Sequence, residues 1–350
     1  MKILYAIQGT GNGHLARATE IVPVLQKIGE TDVLVSGTQG FLKLPFPVRY
    51  RLYGLSFIFG KKGGVNIFKT LTSLKPFRFI RDLIQLPVKR YDLVISDFEP
   101  VSAWSCRLKG KRCIGLSHQN AVLHPKAPKS GSYNSFGRFI LKHYAPAHEK
   151  YGFHFRQLDH FNFTPVLRQE IRNAKPKNKG HYTVYLPAFS DEEIKPLLLT
   201  FTDISWEVFS KCVEKKYYTD NITFYPISSK KFIRSFLKCK GILCNAGFET
   251  PAEAIYMGKK LCVLPMKNQY EQVCNASFLS DMGIKVIWSK TDTRMELQQW
   301  LLDDSCIQID YPDNTKELLE SIITKEIILQ SRTGREILES IRIPQFLFAE

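Results

Sequence analysis

The stretch "CNAGFETPAEAIYMGKKLCVLPMKNQYEQVCNA", residues 244–276, decides the fold. An apolar run ends at Cys244, and a small-residue turn then leads into a helix that Gly258 ends. A second apolar run follows, and Pro265 opens a polar loop before the next helix. Strand, helix and strand in this order predict parallel strands in an α/β sheet.

The first helix of this stretch carries a capping sequence. Thr250 is expected at the N-cap, Pro251 at the first helical position and Glu253 at the third. One interpretation of Glu253 is therefore purely structural, as a cap of its own helix. The alternative is that its carboxylate binds a ligand.

Apolar runs alternate with helical segments in two series. The runs lie at 2–8, 32–38, 91–97 and 111–119, and then at 181–189, 221–227, 240–247 and 259–266. Around 164–180 this alternation stops, and the chain is polar and basic, as is typical of a linker.

The pattern predicts an α/β protein with two Rossmann-like, doubly wound parallel-sheet domains that face each other across a cleft. We expect domains at 1–165 and 181–330, a linker at 166–180, and a C-terminal helix at 331–350 that packs back toward the first domain.

The composition predicts a cytoplasmic protein. The N-terminal run "MKILYAIQGTG" lacks a basic n-region and a cleavage site, and no run approaches the length of a membrane-spanning helix. Eight cysteines show no framework spacing, and the eight histidines form no zinc signature. We therefore expect reduced thiols and no structural metal.

The positive charge is concentrated in the first half of the chain. Residues 1–170 have a net charge of +15, and residues 171–350 of +1. The segment 61–90 holds eight Lys and Arg and one Asp, interleaved with Phe68, Phe77 and Phe79. It is typical of a segment lying on anionic lipid, although a solvated basic face with its aromatic residues in the core is an alternative. No RNA-binding motif is present, so we expect no nucleic-acid partner.

The loop "GTGNGHLARA", residues 9–18, follows the first predicted strand. Residues 11–16 fit a loose G-x-G-x-x-A fingerprint, but the second strand ends without the acidic residue that a dinucleotide site needs. His14 at the helix start is a candidate general base, and Asp97 ends a strand at the same sheet edge, where it could orient the imidazole. The alternative is that each residue only caps a helix.

These two motifs together resemble those of GT-B glycosyltransferases. The matching positions are Gly247, Glu253, Gly258, Pro265, Glu271-Gln272 and Asn275-Ala276. The pattern is similar to the donor box of UDP-glucuronosyltransferases, of plant glycosyltransferases and of the lipid II-forming N-acetylglucosaminyltransferase. The start "GNGHLAR" (11–17) resembles a microbial branch with G-x-G-H-x-x-R.

The resemblance implies a role for each motif residue. Glu253 would bind the donor ribose, Glu271 and Gln272 the transferred sugar, and His14 would be the base, oriented by Asp97. Many relatives have His at the position of Asn245, so the phosphate contact there is altered. The other donor-binding candidates are Gly11, Gly13, Ser190, Ile227, Ala246 and Gly247. His118 either lines the acceptor pocket or is structural.

We therefore expect an inverting hexosyltransferase that moves a sugar from a nucleotide sugar, most simply a UDP-sugar, to an acceptor hydroxyl. No Asp-x-Asp occurs in the chain, so neither a metal nor any cofactor besides the co-substrate is expected. A lipid or cell-envelope glycan acceptor, reached by peripheral contact with the inner face of the membrane, is suggested by charge. The alternatives are a nucleotide-sugar 2-epimerase of the same fold, or a non-catalytic module that binds nucleic acid or a membrane surface.

Overall fold

The computed structural model describes residues 1–37, 40, 42–55, 75–128, 135–288 and 293–330. Two seven-stranded sheets organise this part of the chain. We call each sheet with its helices a lobe. The last strand of the first sheet ends at Phe163, and the first strand of the second begins at Tyr182.

The first sheet has the strand order β3-β2-β1-β4-β5-β6-β7, and each of its strand pairs is parallel. Its strands are β1 Lys2–Gln8, β2 Glu30–Ser36, β3 Tyr50–Leu52, β4 Leu93–Asp97, β5 Ile114–Leu116, β6 Glu149–Phe153 and β7 Asn162–Phe163. The order reverses between β1 and β4, so their carboxyl ends open on the crevice where ligands bind in doubly wound sheets.

The helices of the first lobe are α1 Gly13–Ile28, α2 Pro76–Gln85, α3 Pro100–Leu108, α4 His118–Val122 and α5 Ser135–Tyr144. Glu99 caps α3, because its carboxylate accepts hydrogen bonds from the backbone N–H groups of Val101 and Ser102. Asp97 therefore does not serve as the cap of this helix.

The second sheet has the order β10-β11-β9-β8-β12-β13-β14. Its strands are β8 Tyr182–Tyr185, β9 Trp206–Ser210, β10 Tyr217–Thr219, β11 Ile222–Pro226, β12 Gly241–Asn245, β13 Lys260–Leu264 and β14 Lys285–Val286. The β10–β11 hairpin is antiparallel, and the other pairs are parallel. Without β10, the order repeats that of β1 to β6 in the first sheet. The expected α/β fold with two doubly wound sheets is confirmed.

The remaining helices are α6 Gln169–Arg172, α7 Asp191–Leu199, α8 Ser229–Lys238, α9 Glu249–Tyr256, α10 Tyr270–Asp281, α11 Thr293–Leu302 and α12 Thr315–Gln330. The predicted capping box at the start of α9 is wrong. The helix begins at Glu249, and Phe248 occupies the N-cap position without a side-chain cap bond. Phe248 already has helical backbone angles, with φ −95° and ψ −53°, so Thr250 and Pro251 fall inside the first turn.

One hydrophobic cluster runs through both lobes and includes Ile3, Phe155, Phe248 and Ile323. The chain passes between the lobes twice, because α12 packs against α1 of the first lobe. Glu326 of α12 binds the Arg112 guanidinium with both carboxylate oxygens, at 2.5 and 3.0 Å. The predicted terminal helix at 331–350 lies outside the described residues.

The two crossings are bound to each other. The first contains α6, where Arg172 donates hydrogen bonds to the backbone carbonyls of Tyr311 (2.7 Å) and Pro312 (2.8 Å) in the second crossing. The Tyr311 hydroxyl in turn donates to the carbonyl of Phe155 in the first lobe, at 3.0 Å. The segment predicted as a linker at 166–180 is thus partly packed, with Ile171 fully buried.

Candidate active site

His14 and Asp97 meet at the carboxyl edge of the first sheet. The loop after β1 brings His14 into the first turn of α1, and Asp97 is the last residue of β4. The imidazole Nδ1 lies 2.8 Å from Asp97 Oδ1. A carboxylate only accepts hydrogen bonds, so in this contact Nδ1 is the donor and the lone pair lies on Nε2. A guanidinium nitrogen of Arg17 also lies 3.0 Å from Nδ1. This is the tautomer that a general base needs.

Arg17 lies one turn after His14 on α1 and is buried behind the pair, with 2% of its surface exposed. Its guanidinium donates to both oxygens of Asp97, at 2.6 and 3.2 Å, and to Glu249 of the second lobe. Burial alone would raise the pKa of Asp97, but the charge of Arg17 and the contact with His14 outweigh burial and lower it. Asp97 therefore stays ionised beside the imidazole.

Glu249 competes with Asp97 for the same cation. Burial, the largest cause, and the nearby carboxylates of Glu253 and Asp97 raise the pKa of Glu249 to about 7, although the charge of Arg17 offsets part of the rise. Contact between the lobes at this point is therefore sensitive to pH near neutrality.

Two further polar pairs join the lobes across the crevice. The Gln119 side-chain N–H₂ lies 3.0 Å from Glu271 Oε2 and 3.2 Å from His14 Nε2. His118 has Nε2 2.7 Å from Asn275 Oδ1, and its Nδ1 lies 2.7 Å from the Phe153 carbonyl. Its ring also stacks on Phe248, with centroids 3.9 Å apart.

These contacts engage both ring nitrogens of His118, and the residue is 1% exposed. Of the two interpretations of His118, they favour the structural one. Its neighbour Gln119, on the same short helix, is the residue that reaches His14.

The turn after β12 forms the opposing wall of the crevice. Asn245 is tied to the sheet, because its Nδ2 donates to the Leu264 carbonyl at 2.9 Å, and Ala246 accepts a bond from Asn275 at 3.1 Å. Gly247 follows, and a Cβ placed there would meet no atom within 4 Å. This space lies directly before the N-terminus of α9, where backbone N–H groups favour an anion.

Glu253 does not cap its helix. Both of its carboxylate oxygens accept hydrogen bonds from Arg168 of the first crossing, at 2.6 and 2.5 Å. The Glu253 side chain is 4% exposed and the Arg168 side chain 13%. A ligand hydroxyl that reaches Glu253 would therefore share the carboxylate with Arg168 or replace it.

The other predicted donor-side residues lie along the second lobe. Gln272 accepts a bond from the Met266 N–H at 3.0 Å, which fixes its amide beside the loop after β13. Ile227 directly follows β11 and is half-buried. Ser190 is the N-cap of α7, whose first turn holds Asp191, Glu192 and Glu193. Three carboxyl groups at the start of that helix would repel the negative charge of a phosphate.

The glycine loop of the first lobe lies close to the second lobe. Gly11 has φ +97°, a left-handed conformation that L side chains rarely adopt. At Gly13, a Cβ would lie 3.3 Å from the Glu249 Cγ. A side chain at Gly13 would therefore push against the donor side of the crevice.

The described residues hold no group of three or more His, Cys, Asp or Glu placed to bind a metal ion. The eight cysteines all fall in the described ranges and form no disulfide with one another there. Within the same ranges, no helix combines the length and apolar character needed to cross a bilayer.

Sequence reasoning assigned no role to four residues of this site. They are Arg17, Gln119, Arg168 and Glu249. Arg17 was visible as the last residue of "GNGHLAR", three positions after His14 and hence on the same helix face. The other three act across the crevice or from the linker, and nothing in the local sequence gives their partners.

Comparison with solved structures finds the same fold in glycosyltransferases. SsfS6 of Streptomyces sp. SF2575 aligns with a TM-score of 0.53 and 14% identity, over 93% of this chain and 96% of its own. The spinosyn forosaminyltransferase SpnP gives 0.52 and 13%, over 95% of both chains. SnogD from Streptomyces nogalater gives 0.51 and 12%, over 93% and 99%. At these identities the likeness shows the fold, which is the expected GT-B arrangement.

Sequence comparison with curated proteins finds no match. A family model, described as glycosyl transferase family 1, matches residues 1–303, which is most of the chain and spans both lobes and the crevice between them. The chain therefore belongs to glycosyl transferase family 1, and it is a glycosyltransferase of the GT-B fold.

Proposed function

We propose that this glycosyltransferase moves a sugar from a nucleotide sugar, most simply a UDP-sugar, to an acceptor hydroxyl with inversion and without a metal. One observation carries the proposal. Asp97 holds the His14 imidazole at 2.8 Å through Nδ1, so that Nε2 faces the crevice opposite Glu271 of the second lobe.

The proposed step is an in-line displacement. His14 Nε2 takes the proton of the acceptor hydroxyl, and the acceptor oxygen forms a bond to the anomeric carbon. The bond between that carbon and the diphosphate oxygen breaks, and its electron pair leaves with the nucleoside diphosphate. Base and leaving group then lie on opposite faces of the sugar, so the configuration inverts. Asp97 orients the imidazole throughout.

The second lobe offers a place for the departing diphosphate. The open space at Gly247 precedes the N-terminus of α9, and backbone N–H groups there stabilise developing negative charge. The first turn of this helix holds one acidic residue, Glu249, which is paired with Arg17. The first turn of α7 carries three acidic residues and suits phosphate less well. Glu271 and Gln272 would contact sugar hydroxyls, and Glu253 the ribose, where Arg168 now lies.

A lipid-linked acceptor is supported by the surface of the first lobe. Phe77, Ile80 and Ile84 of α2 are 88%, 52% and 66% exposed, and their spacing places them on one helix face. Lys75, Arg78 and Arg81 lie among them. We call these six residues the α2 surface. Exposed apolar side chains among cations favour an anionic bilayer and a peripheral position at the cytoplasmic face. Residues 61–74 of the predicted segment lie outside the described residues.

The test is nucleotide release from a panel of nucleotide sugars. His14→Ala should lower the rate by about 10²–10⁴-fold, the usual contribution of a general base. The control is His160→Ala, since His160 is exposed and lies against Phe161, outside the crevice. Release that is unchanged by His14→Ala would contradict the mechanism. Epimer formation without release would instead indicate the epimerase, and no turnover of any donor a binding module.

A further inference from the structure

Gln119 covers the one atom on which the proposed mechanism depends. It is the second residue of α4, directly after β5, and it is 4% exposed. Its amide nitrogen lies between His14 Nε2, at 3.2 Å, and Glu271 Oε2, at 3.0 Å. A single side chain thus bridges the base of the first lobe and the sugar-side carboxylate of the second.

The partners of this amide fix its orientation. Asp97 holds the proton of His14 on Nδ1, so Nε2 presents a lone pair, and Glu271 presents a carboxylate oxygen. Both neighbours are acceptors, and only the N–H₂ end of an amide has two donors. With the amide reversed, Oε1 would face two acceptors at contact distance.

This orientation leaves the other end of the amide unpaired. Gln119 Oε1 is buried and has no hydrogen-bond donor among the described residues. A buried carbonyl without a donor is unfavourable, and most such groups in proteins find a partner. A hydroxyl group that enters the crevice can supply the missing donor to Oε1. The substrates of a glycosyltransferase carry such hydroxyl groups.

We propose that Gln119 is a positioning residue that closes His14 Nε2 to water until an acceptor hydroxyl replaces it. While the amide donates to Nε2, no water molecule can donate its proton there, so a bound donor is protected from hydrolysis. When an acceptor hydroxyl reaches Oε1, the amide turns about its contact with Glu271 and releases Nε2 to the acceptor. This inference rests on the proposed function, since it takes His14 as the base.

The first experiment needs no substrate. Diethyl pyrocarbonate acylates the unprotonated nitrogen of imidazole, and mass spectrometry of the His14 peptide gives the rate. Gln119→Ala should raise this rate by about fivefold or more, the factor that one hydrogen bond contributes. Asn120→Ala should leave it unchanged, because Asn120 on the same helix donates to the Tyr151 carbonyl instead.

A third variant separates the amide from lobe closure. Glu271→Ala removes the contact with the second lobe but leaves Gln119 on His14, and its labelling rate should stay near that of the wild type. Equal rates in Gln119→Ala and wild type would overturn the proposal. A rate in Glu271→Ala as high as in Gln119→Ala would also overturn it, because closure and not the amide would then protect His14.

The second experiment measures donor hydrolysis without acceptor, at saturating nucleotide sugar. Gln119→Ala should release nucleotide about fivefold faster than wild type, by the same hydrogen-bond factor, and adding His14→Ala should abolish the gain. Hydrolysis that is unchanged or slower would count against the protective role. If neither wild type nor variant turns over any donor, the proposed function fails, while the labelling rates still decide whether Gln119 covers His14.

Discussion

At the scale of single residues, the site is defined by one cation between two carboxylates. Arg17 serves both Asp97 and Glu249, and one guanidinium cannot fully compensate two buried negative charges. The pKa of Asp97 is lowered, so Asp97 remains ionised, whereas the pKa of Glu249 is raised, so Glu249 is the carboxylate that takes up a proton. Asp97, which we propose orients the base, is thereby kept charged, and the protonation of Glu249 in the opposite lobe adjusts.

The raised pKa of Glu249 has a consequence for stability. With a pKa of about 7 in the folded protein, against an ordinary 4.5, the folded state binds more protons than the unfolded state between these values. Glu249 therefore stabilises the folded protein at low pH. This stabilisation is lost as the pH rises from 4.5 to 7, and the stability does not change further above 7 on account of Glu249. The loss is on the order of 3 kcal/mol in the free energy of unfolding.

Glu249→Gln should remove this dependence. Urea unfolding followed from pH 5 to pH 8, a range on the order of the titration window, should show a flatter profile in the variant than in wild type. Glu317→Gln, an exposed carboxyl on α12, is the matched control and should keep the wild-type profile. Parallel profiles for wild type and Glu249→Gln would show that Glu249 does not titrate in this range.

His14 and Asp97 were accessible to sequence reasoning for a simple reason. His14 follows one strand and Asp97 ends another, and the carboxyl ends of neighbouring parallel strands meet. Glu253 shows the opposite case, because its spacing from Thr250 is that of a capping box while Arg168, 85 positions earlier, takes its carboxylate. Contacts between distant segments leave no local signal, so the roles of such residues stay predictions until variants are measured.

At the scale of elements, the turn between β12 and α9 has open space beside Gly247 and an unstrained backbone at this residue. Gly247 has no neighbour within 4 Å of a Cβ position, and its φ is not in the left-handed region. A methyl group there would meet only a ligand. The turn therefore allows folding and donor binding to be tested separately.

Gly247→Ala should leave the free energy of unfolding within about 0.5 kcal/mol of wild type, as for surface changes without strain. It should weaken binding of a nucleoside diphosphate, measured by calorimetry, by about tenfold or more, since a misplaced contact costs on the order of 1.4 kcal/mol. The comparison variant is Gly180→Ala, which also has open space but φ +85°. It should destabilise the protein without changing affinity, and unchanged affinity in Gly247→Ala would place the diphosphate elsewhere.

Strands with unbroken apolar runs were predicted, whereas β3, β6, β7, β9, β10 and β14 were not. The two longest of these show why. β6, "EKYGF", mixes charged residues with aromatic ones, and β9, "WEVFS", has Glu207 near its start. Neither gives a continuous apolar run, and both are only five residues long. They are identified as strands by their neighbours in the sheet, since β6 pairs with β5 and β9 with β8. Sheet context outweighs the weak local pattern.

At the scale of the whole molecule, charge and exposed apolar surface lie on the same lobe. The first half of the chain carries nearly all of the net charge, and the α2 surface adds three exposed apolar side chains. Neither feature is explained by the crevice. A bilayer of anionic lipid would attract the positive charge and bury the exposed apolar side chains of the α2 surface.

Replacing Phe77, Ile80 and Ile84 together by Ser should lower binding to phosphatidylglycerol vesicles by at least about tenfold, because each side chain loses its apolar transfer energy. Vesicle sedimentation measures the effect, and neutral phosphatidylcholine vesicles should bind both proteins weakly. The control replaces Met295 and Leu302 of α11, which are 56% and 78% exposed, and should bind as wild type does. Equal binding by all three proteins would exclude α2 as the contact.

The paired crossings limit how substrates can enter. Because Arg172 fastens one crossing segment to the other, the lobes are joined along a line and not at a point. Any motion that separates the two segments would break the bonds at Tyr311 and Pro312. A wider crevice that keeps these bonds would instead have to part the contacts of His118 with Asn275 and of Gln119 with Glu271.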